Sequence, residues 1–296
     1  MDVVVIFNGL GNQMSQYALY LQKKAIDEST RFIIDKRFLS NHNGYELDNV
    51  FNIDYKDNFI NSILFLLFRI LCVKKYPLVS KPILKFFNFL GVSLLEENKN
   101  YDYDEKLLKS SKGIRFLYGG WHSEKYFIHY KQQIADVYKF NIDQTDTILQ
   151  KYLNKIKMLN SVSIHVRRGD YMKGQNFELF GSVCTQEYFK VAINEIHKKV
   201  DNPHFFIFSN DIKWVKENLK INNYTIVDCN NGKNSWKDMF LISNCKHNIN
   251  SNSTFSWWAS WLNINEDKLV LVPQYFINNF ETKDFYPAHW KKIIHY

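Results

Sequence analysis

From Ser161 onward the chain alternates short apolar runs with helix-patterned stretches, and this alternation restricts it to a parallel sheet covered on both faces. The pattern predicts strands ending at Val166 and spanning His204–Ser209, Tyr224–Asp228, His247–Ser251 and Leu269–Val272. Helices are expected between them over Gln186–Val200, Asp211–Leu219, Trp236–Asn244 and Phe255–Leu262. The amino-terminal stretch opens the same way, with a strand Val3–Phe7, a helix Met14–Glu28 and a strand Arg31–Asp35. A length of 296 residues suits two such α/β domains. The polar stretch Asn141–Asn160 sets the expected boundary, giving domains 1–155 and 156–296.

Ligands of parallel sheets bind beyond the carboxyl ends of the strands. Strand Ser161–Val166 runs out into Arg167-Arg168-Gly169-Asp170-Tyr171, with His165 just inside its end. Two adjacent guanidiniums repel each other unless they share an anion, and a diphosphate meets that need with forked hydrogen bonds. An ion-pair cluster closed by Asp170 is the alternative that needs no ligand. A net charge of +8 also favours anionic company, which could be a nucleotide, a nucleic acid or an acidic lipid surface. The basic residues form no consecutive block, which places nucleic acid below the other two.

Two further loops join strands to helices. In Asn8-Gly9-Leu10-Gly11-Asn12-Gln13 the glycines let backbone approach a ligand, and a helix start offers N–H groups to an anion. With Asp35 this loop forms half of a dinucleotide fingerprint, but Met14 stands where the third glycine belongs. In Ser251-Asn252-Ser253-Thr254-Phe255 the hydroxyls either cap the next helix or, with its amides, hold phosphate oxygens. Trp257, Trp258 and Trp261 on that helix are expected in the core. Segment 59–95 is rich in Phe, Leu and Ile but interrupted by Arg69, too short to span a bilayer. Flanked by Lys74, Lys75, Lys81 and Lys85, it reads as a patch for an anionic membrane surface or as a pair of buried helices. Cys72, Cys184, Cys229 and Cys245 lack metal-ligand spacing, and no signal segment precedes the first strand; together these point to a reducing, cytoplasmic setting, peripheral to the inner membrane if the patch binds lipid.

Four blocks, taken together and in order, resemble the α-1,2-fucosyltransferases of glycosyltransferase family 11. They are Gly9-Leu10-Gly11-Asn12-Gln13-Met14, His165 through Tyr171, Phe208-Ser209-Asn210-Asp211-Ile212-Lys213-Trp214, and Asp238 through Trp258. Gly120-Trp121-His122-Ser123-Glu124-Lys125-Tyr126-Phe127 is also similar to that family. The resemblance implies a GT-B fold: two Rossmann-like α/β domains whose parallel sheets face across a cleft, the first handling the acceptor and the second the donor. It implies transfer of L-fucose from GDP-β-L-fucose to the 2-hydroxyl of a galactoside, with inversion, without a metal or other cofactor. The setting it suggests is bacterial surface polysaccharide (O-antigen) synthesis on a lipid carrier. His165 is then expected to shape the nucleotide site and Asp238 to accept from the guanine edge. The family usually reads Gly-Gly-Leu-Gly and Met-Phe-Gln-Tyr-Ala near the start, where this chain has Asn8 and Ser15.

Sugar transfer leaves negative charge on the departing diphosphate, so a donor anion needs fixed cations and amides. Arg167 and Arg168, with Asn252, Ser253, Thr254 and Phe255, are the candidates, and Gly9, Gly11, Asn12 and Gln13 are expected on the donor as well. The acceptor hydroxyl needs a base, and Asp170 and Glu178 are the nearest carboxylates downstream of the arginines, although Asp170 can equally serve to orient Arg167. Three rival readings remain. A metal-dependent GT-A transferase would use Asp102 and Asp104, an adhesion module would use Arg168-Gly169-Asp170, and a nicotinamide enzyme would use Gly9, Gly11 and Asp35.

Overall fold

β-Branched runs too short to be helices become the strands, and each strand's partners follow from where the next helix returns the chain. The computed structural model describes residues 1–37, 42–72 and 77–294. It divides into two compact units, Met1–Asn141 and Ile142–Tyr296. The division lies ahead of the expected 155/156 boundary because the helix Thr147–Met158, capped by Asp146, packs on the second unit's own strand and helix.

In the first unit β1 (Asp2–Ile6), β2 (Arg31–Ile34), β3 (Val92–Glu96) and β4 (Ile114–Tyr118) form an all-parallel sheet in the order β2-β1-β4-β3. The helix Leu10–Ile26 returns the chain from β1 to β2. Val3, Val5, Ile33 and Phe116 meet Leu64, Phe68 and Leu71 of the helix Phe59–Leu71 in one core. Asp2 anchors this sheet from its amino end: its carboxylate binds Arg115 of β4 at 2.8 and 2.9 Å and the fully buried Lys23 at 2.7 Å. Burial alone would raise the Asp2 carboxyl, but Arg115 and Lys23 hold it below its ordinary value.

Segment 59–95 resolves into two helices, Phe59–Leu71 and Pro77–Phe89, and then β3. Lys74 and Lys75 lie outside the described residues. The expectation of buried helices holds for one face only: Leu64, Phe68 and Leu71 are inside, whereas Phe59, Leu66, Phe86 and Phe89 are exposed, Phe59 by 80% and Phe89 by 86%.

In the second unit β5 (Ser161–Val166), β6 (His204–Ser209), β7 (Tyr224–Val227), β8 (His247–Ile249), β9 (Val270–Pro273) and β10 (Lys291–Ile293) are all parallel, in the order β10-β9-β8-β5-β6-β7. The chain builds outward from β5 on one side, then crosses to start again at β8 on the other. This is the doubly wound order, and its reversal lies between β5 and β8. Helices Gln186–His197 and Ile212–Asn218 cover the face of Val162, Ile164 and Val166. Helix Trp236–Asn244 packs against both Thr147–Met158 and Thr254–Leu262 on the side of Ser163, where Asn248 Nδ2 ties Ser163 Oγ to the carbonyl of Ile242. Trp257, Trp258 and Trp261 are buried there, as expected. Strands β3, β4 and β10 were not anticipated: none of Val92–Glu96, Ile114–Tyr118 and Lys291–Ile293 carries a clear alternation of apolar and polar residues.

Candidate functional site

Between β5 and β8 neighbouring strands send their connections in opposite directions, so their carboxyl ends open onto a crevice. His165 of β5 and Ser251 beyond β8 bridge it, with Nδ1 and Oγ 2.9 Å apart and both residues buried. The ring of Phe255, in the first turn of the next helix, lies 5.5 Å from the imidazole. Burial first, and then the charge of Arg167, hold the His165 pKa down to about 3, so the ring is neutral at working pH.

The two arginines that follow are separated by their partners. Arg167 Nη2 meets Asp170 Oδ1 at 2.8 Å, within its own turn, and its guanidinium lies 5.6 Å from the Tyr171 ring. Arg168 turns toward the next strand connection. Its Nε lies 3.3 Å from Asp211 Oδ2, its guanidinium stacks 4.3 Å over Trp214, and its backbone N–H donates to Asn210 Oδ1 at 2.9 Å. Ser209 Oγ closes the arrangement by donating to the Val166 carbonyl and accepting from the Asp211 N–H. Asn210 packs closely on Gly169: a Cβ there would stand 2.4 Å from Asn210 Nδ2 and would displace that amide. The clamp of Asn210, Asp211 and Trp214 on Arg168 was not foreseen in the sequence, and it also holds the Arg168-Gly169-Asp170 tripeptide against the unit.

At the other side of the crevice Ser253 caps the helix Thr254–Leu262, its side chain accepting from the Phe255 N–H at 3.3 Å, so the capping reading of this hydroxyl is realised. Asn252 is buried. Its Nδ2 donates to the carbonyls of Phe180 and Phe276, its own carbonyl accepts from Tyr171, and its Oδ1 has no hydrogen-bond partner among the described residues. Thr254 and Phe255 are half-buried at the start of the helix. Asp238, half-buried in the first turn of Trp236–Asn244, accepts from Asn230 Nδ2 at 2.7 Å. Burial pushes its carboxyl up to about 7, Asn230 opposes this, and Asp228 adds to it. It belongs to the connection that leaves β7, the strand two places from β5 in the sheet. Glu178 is exposed on the turn Phe177–Gly181.

The glycine loop of the first unit is filled from within. Leu10 N–H donates to Glu46 Oε2 at 3.1 Å, so a carboxylate already stands at the helix start where an anion was expected. Gly9 accepts from Asn12 and Gln13 N–H and forms an extended helix cap. Gln13 is buried and fully engaged: Nε2 donates to the Asn8 and Gly44 carbonyls, and Oε1 accepts from Glu46 N–H. Gly11 is buried and accepts from Ser15 Oγ. The positive φ of this loop, +65°, falls on Asn8, the residue standing where the family usually has glycine, and Asn tolerates that conformation best among side-chain-bearing residues. Asp35 is held by Arg37 at 2.8 and 2.7 Å. Asp102 accepts from Asn100, and Asp104 caps the turn Glu105–Leu108 by accepting from Lys106 N–H at 2.9 Å.

The sequence profile of Glycosyl transferase family 11 matches residues 3–294. The alpha-1,2-colitosyltransferase of Escherichia coli is 29% identical over 309 aligned positions, covering 99% of each chain. The O-antigen biosynthesis glycosyltransferase WbnK of Escherichia coli is 31% identical over 291, covering 93% of this chain and 95% of that one. Among solved structures, a mutant of Arabidopsis thaliana FUT1 in complex with GDP aligns with a TM-score of 0.51 at 12% identity, over 99% of this chain and 76% of that one. The fold is GT-B, as the sequence motifs implied.

Because His165 is depressed, the stability it contributes is present above its unfolded pKa near 6.5 and is lost as pH falls toward 3. His165→Asn, which retains a partner for Ser251, is expected to flatten the fall of stability over that window by up to about 1.4 kcal/mol per pH unit. Denaturant midpoints at several pH values measure this, and parallel slopes in the two proteins would show that the ring is not held neutral.

Proposed function

We propose, from the premise that this chain belongs to glycosyl transferase family 11, that it transfers L-fucose from GDP-β-L-fucose to the 2-hydroxyl of a terminal galactoside with inversion. The product is a unit of a bacterial surface polysaccharide of the O-antigen type. The observation that carries this reading is the His165–Ser251 bridge at the reversal of the doubly wound sheet, with two arginines immediately beyond it. A second reading, colitose as the sugar moved, has the full-length colitosyltransferase relative in its favour.

The chemistry asks for a fixed positive field where the diphosphate departs. Arg167 gives one nitrogen to Asp170 and keeps further N–H groups for phosphate oxygens. Asp170 therefore orients Arg167, and Arg168, stacked and clamped, sets the direction of the strand exit while adding charge. Asn252, Ser253, Thr254 and Phe255 form the opposite wall at a helix start, which favours negative charge. Asp238 accepts from the guanine edge at the far end of the nucleotide. The second unit thus takes the donor and the first the acceptor, and no metal is asked to stabilise the leaving group.

The exposed apolar face of helices Phe59–Leu71 and Pro77–Phe89, with Arg69, Lys81 and Lys85 also exposed, suits an anionic lipid surface, where a lipid-linked acceptor would reside. Among the described residues no helix is long and apolar enough to cross a membrane.

A screen of GDP-fucose, GDP-colitose and UDP-galactose against simple β-galactosides, read by mass spectrometry, tests the activity; product from GDP-fucose alone supports the fucosyl reading, and product only from another donor overturns it. GDP should raise the melting temperature of the wild-type protein, and Arg167→Ala should remove most of that rise through loss of a charge-assisted contact of about 1.5–3 kcal/mol. Equal shifts would take Arg167 out of the donor site. Co-sedimentation with anionic vesicles at low salt, released at high salt and weakened by Lys81→Glu with Lys85→Glu, is expected of the membrane face. Indifference to such vesicles at every ionic strength would dismiss it.

A further inference from the structure

The first unit has a strand reversal of its own. β1 and β4 are neighbours while β2 and β3 lie outside them, so a crevice opens beyond Ile6 and Tyr118. A cavity of about 330 Å³ occupies it, lined among others by Phe7, Asn8, Asn12, Glu97, Tyr118 and His122. Aromatic faces beside amides and carboxylates are the mixture that holds a pyranose, stacking its apolar face and fixing its hydroxyls.

Glu97 is the first residue beyond β3, and its N–H donates to the Tyr118 carbonyl at 3.1 Å. Its carboxylate accepts the N–H groups of Gly120 at 2.6 Å and Trp121 at 3.0 Å. The wall behind it leaves no room for side chains. A Cβ on Gly119 would stand 2.4 Å from Glu97 Cβ, and one on Gly120 would stand 2.1 Å from His122 Nε2. His122 is fixed in turn, its Nδ1 3.0 Å from Ser15 Oγ, at the position where the family usually carries phenylalanine. A carboxylate has about four lone-pair sites, so two N–H partners fix its direction and leave capacity for a hydroxyl.

We propose that Glu97 is the general base of the transfer: its carboxylate takes the proton of the galactoside hydroxyl seated in this cavity. The inference rests on the function proposed above and adds the residue that activates the acceptor. The step balances. The acceptor O–H bond breaks and its proton passes to Glu97, the oxygen bonds to the anomeric carbon of the donor sugar, and the bond from that carbon to the diphosphate breaks with its electron pair leaving on GDP. Asp170 and Glu178 are poorer bases, the first paired with Arg167 and the second exposed on a turn. Burial pushes the Glu97 carboxyl up to about 7 against the pull of the Trp121 and Gly120 N–H groups, which suits a base at neutral pH. The other titratable groups around it are Glu96 and Lys99 on the rim, the raised phenols of Tyr101, Tyr118 and Tyr126, and His122, which burial holds down to about 3 and so neutral.

Rates of transfer to a β-galactoside between pH 5.5 and 8.5, for wild type and Glu97→Gln, test this, with stabilisation by GDP as the check on folding and on the donor site. The wild-type kcat should rise with pH through about 7 and level off. The variant should lose about 100-fold or more in kcat, lose the acidic limb, and keep the GDP response. A variant with the wild-type rate, or with the same limb, overturns the inference while leaving the transferase reading intact. A wild type that transfers to no galactoside overturns that reading and this inference with it. Should Glu97→Gln not fold, the wild-type profile and Glu97→Asp decide: a limb near 7 retained at lower rate in the Asp variant supports the base, and a flat wild-type profile refutes it.

Discussion

Parallel strands put every ligand-facing group at one edge of a sheet, and a reversal of strand order is the only place along that edge where the connections part. In the second unit the parting lies between β5 and β8, and the His165–Ser251 hydrogen bond spans it. That bond fixes one imidazole nitrogen and joins the two strand ends from which Arg167 and the Ser253 cap are built. Buried and neutral, His165 can do this without adding a third positive charge beside the arginines.

Adjacent guanidiniums are stable here because each has its own carboxylate on a different connection, Asp170 for Arg167 and Asp211 for Arg168. The two pairs differ in kind. Arg168 is stacked on Trp214 and tied through its backbone to Asn210, which makes it part of the frame. Arg167 is a third exposed and bonded within its own turn, an arrangement that a doubly charged ligand can compete with or join. In the first unit the comparable position at the first helix is closed by Glu46, and its open cavity carries Glu97 inside with Glu96 and Lys99 at the rim, in place of a pair of arginines. The two reversals thus have opposite electrostatic character, one suited to an anion and one to a hydroxyl.

Local patterns were legible and distant partners were not. The strands and helices from Ser161 to β9, the buried tryptophans and the Arg167–Asp170 pair all follow from periodicity or from a spacing of three residues. Glu46 lies 36 residues from Leu10 and Asp211 lies 43 from Arg168, separations at which only the fold decides who meets whom. For that reason the glycine loop read as an anion site, and Arg168 read as equivalent to Arg167. Glu97 was missed because β3 was hidden behind an amphipathic helix, so the strand end that exposes its carboxylate could not be placed. The Gly119-Gly120 pair was the available signal, since two bare positions after a strand mark a close approach.

Hydrogen exchange with and without GDP tests the central claim, that the nucleotide binds at the reversal of the second sheet. Slowed exchange over residues 166–171 and 251–256, with residues 8–14 unchanged, is the result this account predicts. Protection confined to residues 8–14, or absent from both segments at the second sheet while GDP is bound, would contradict it.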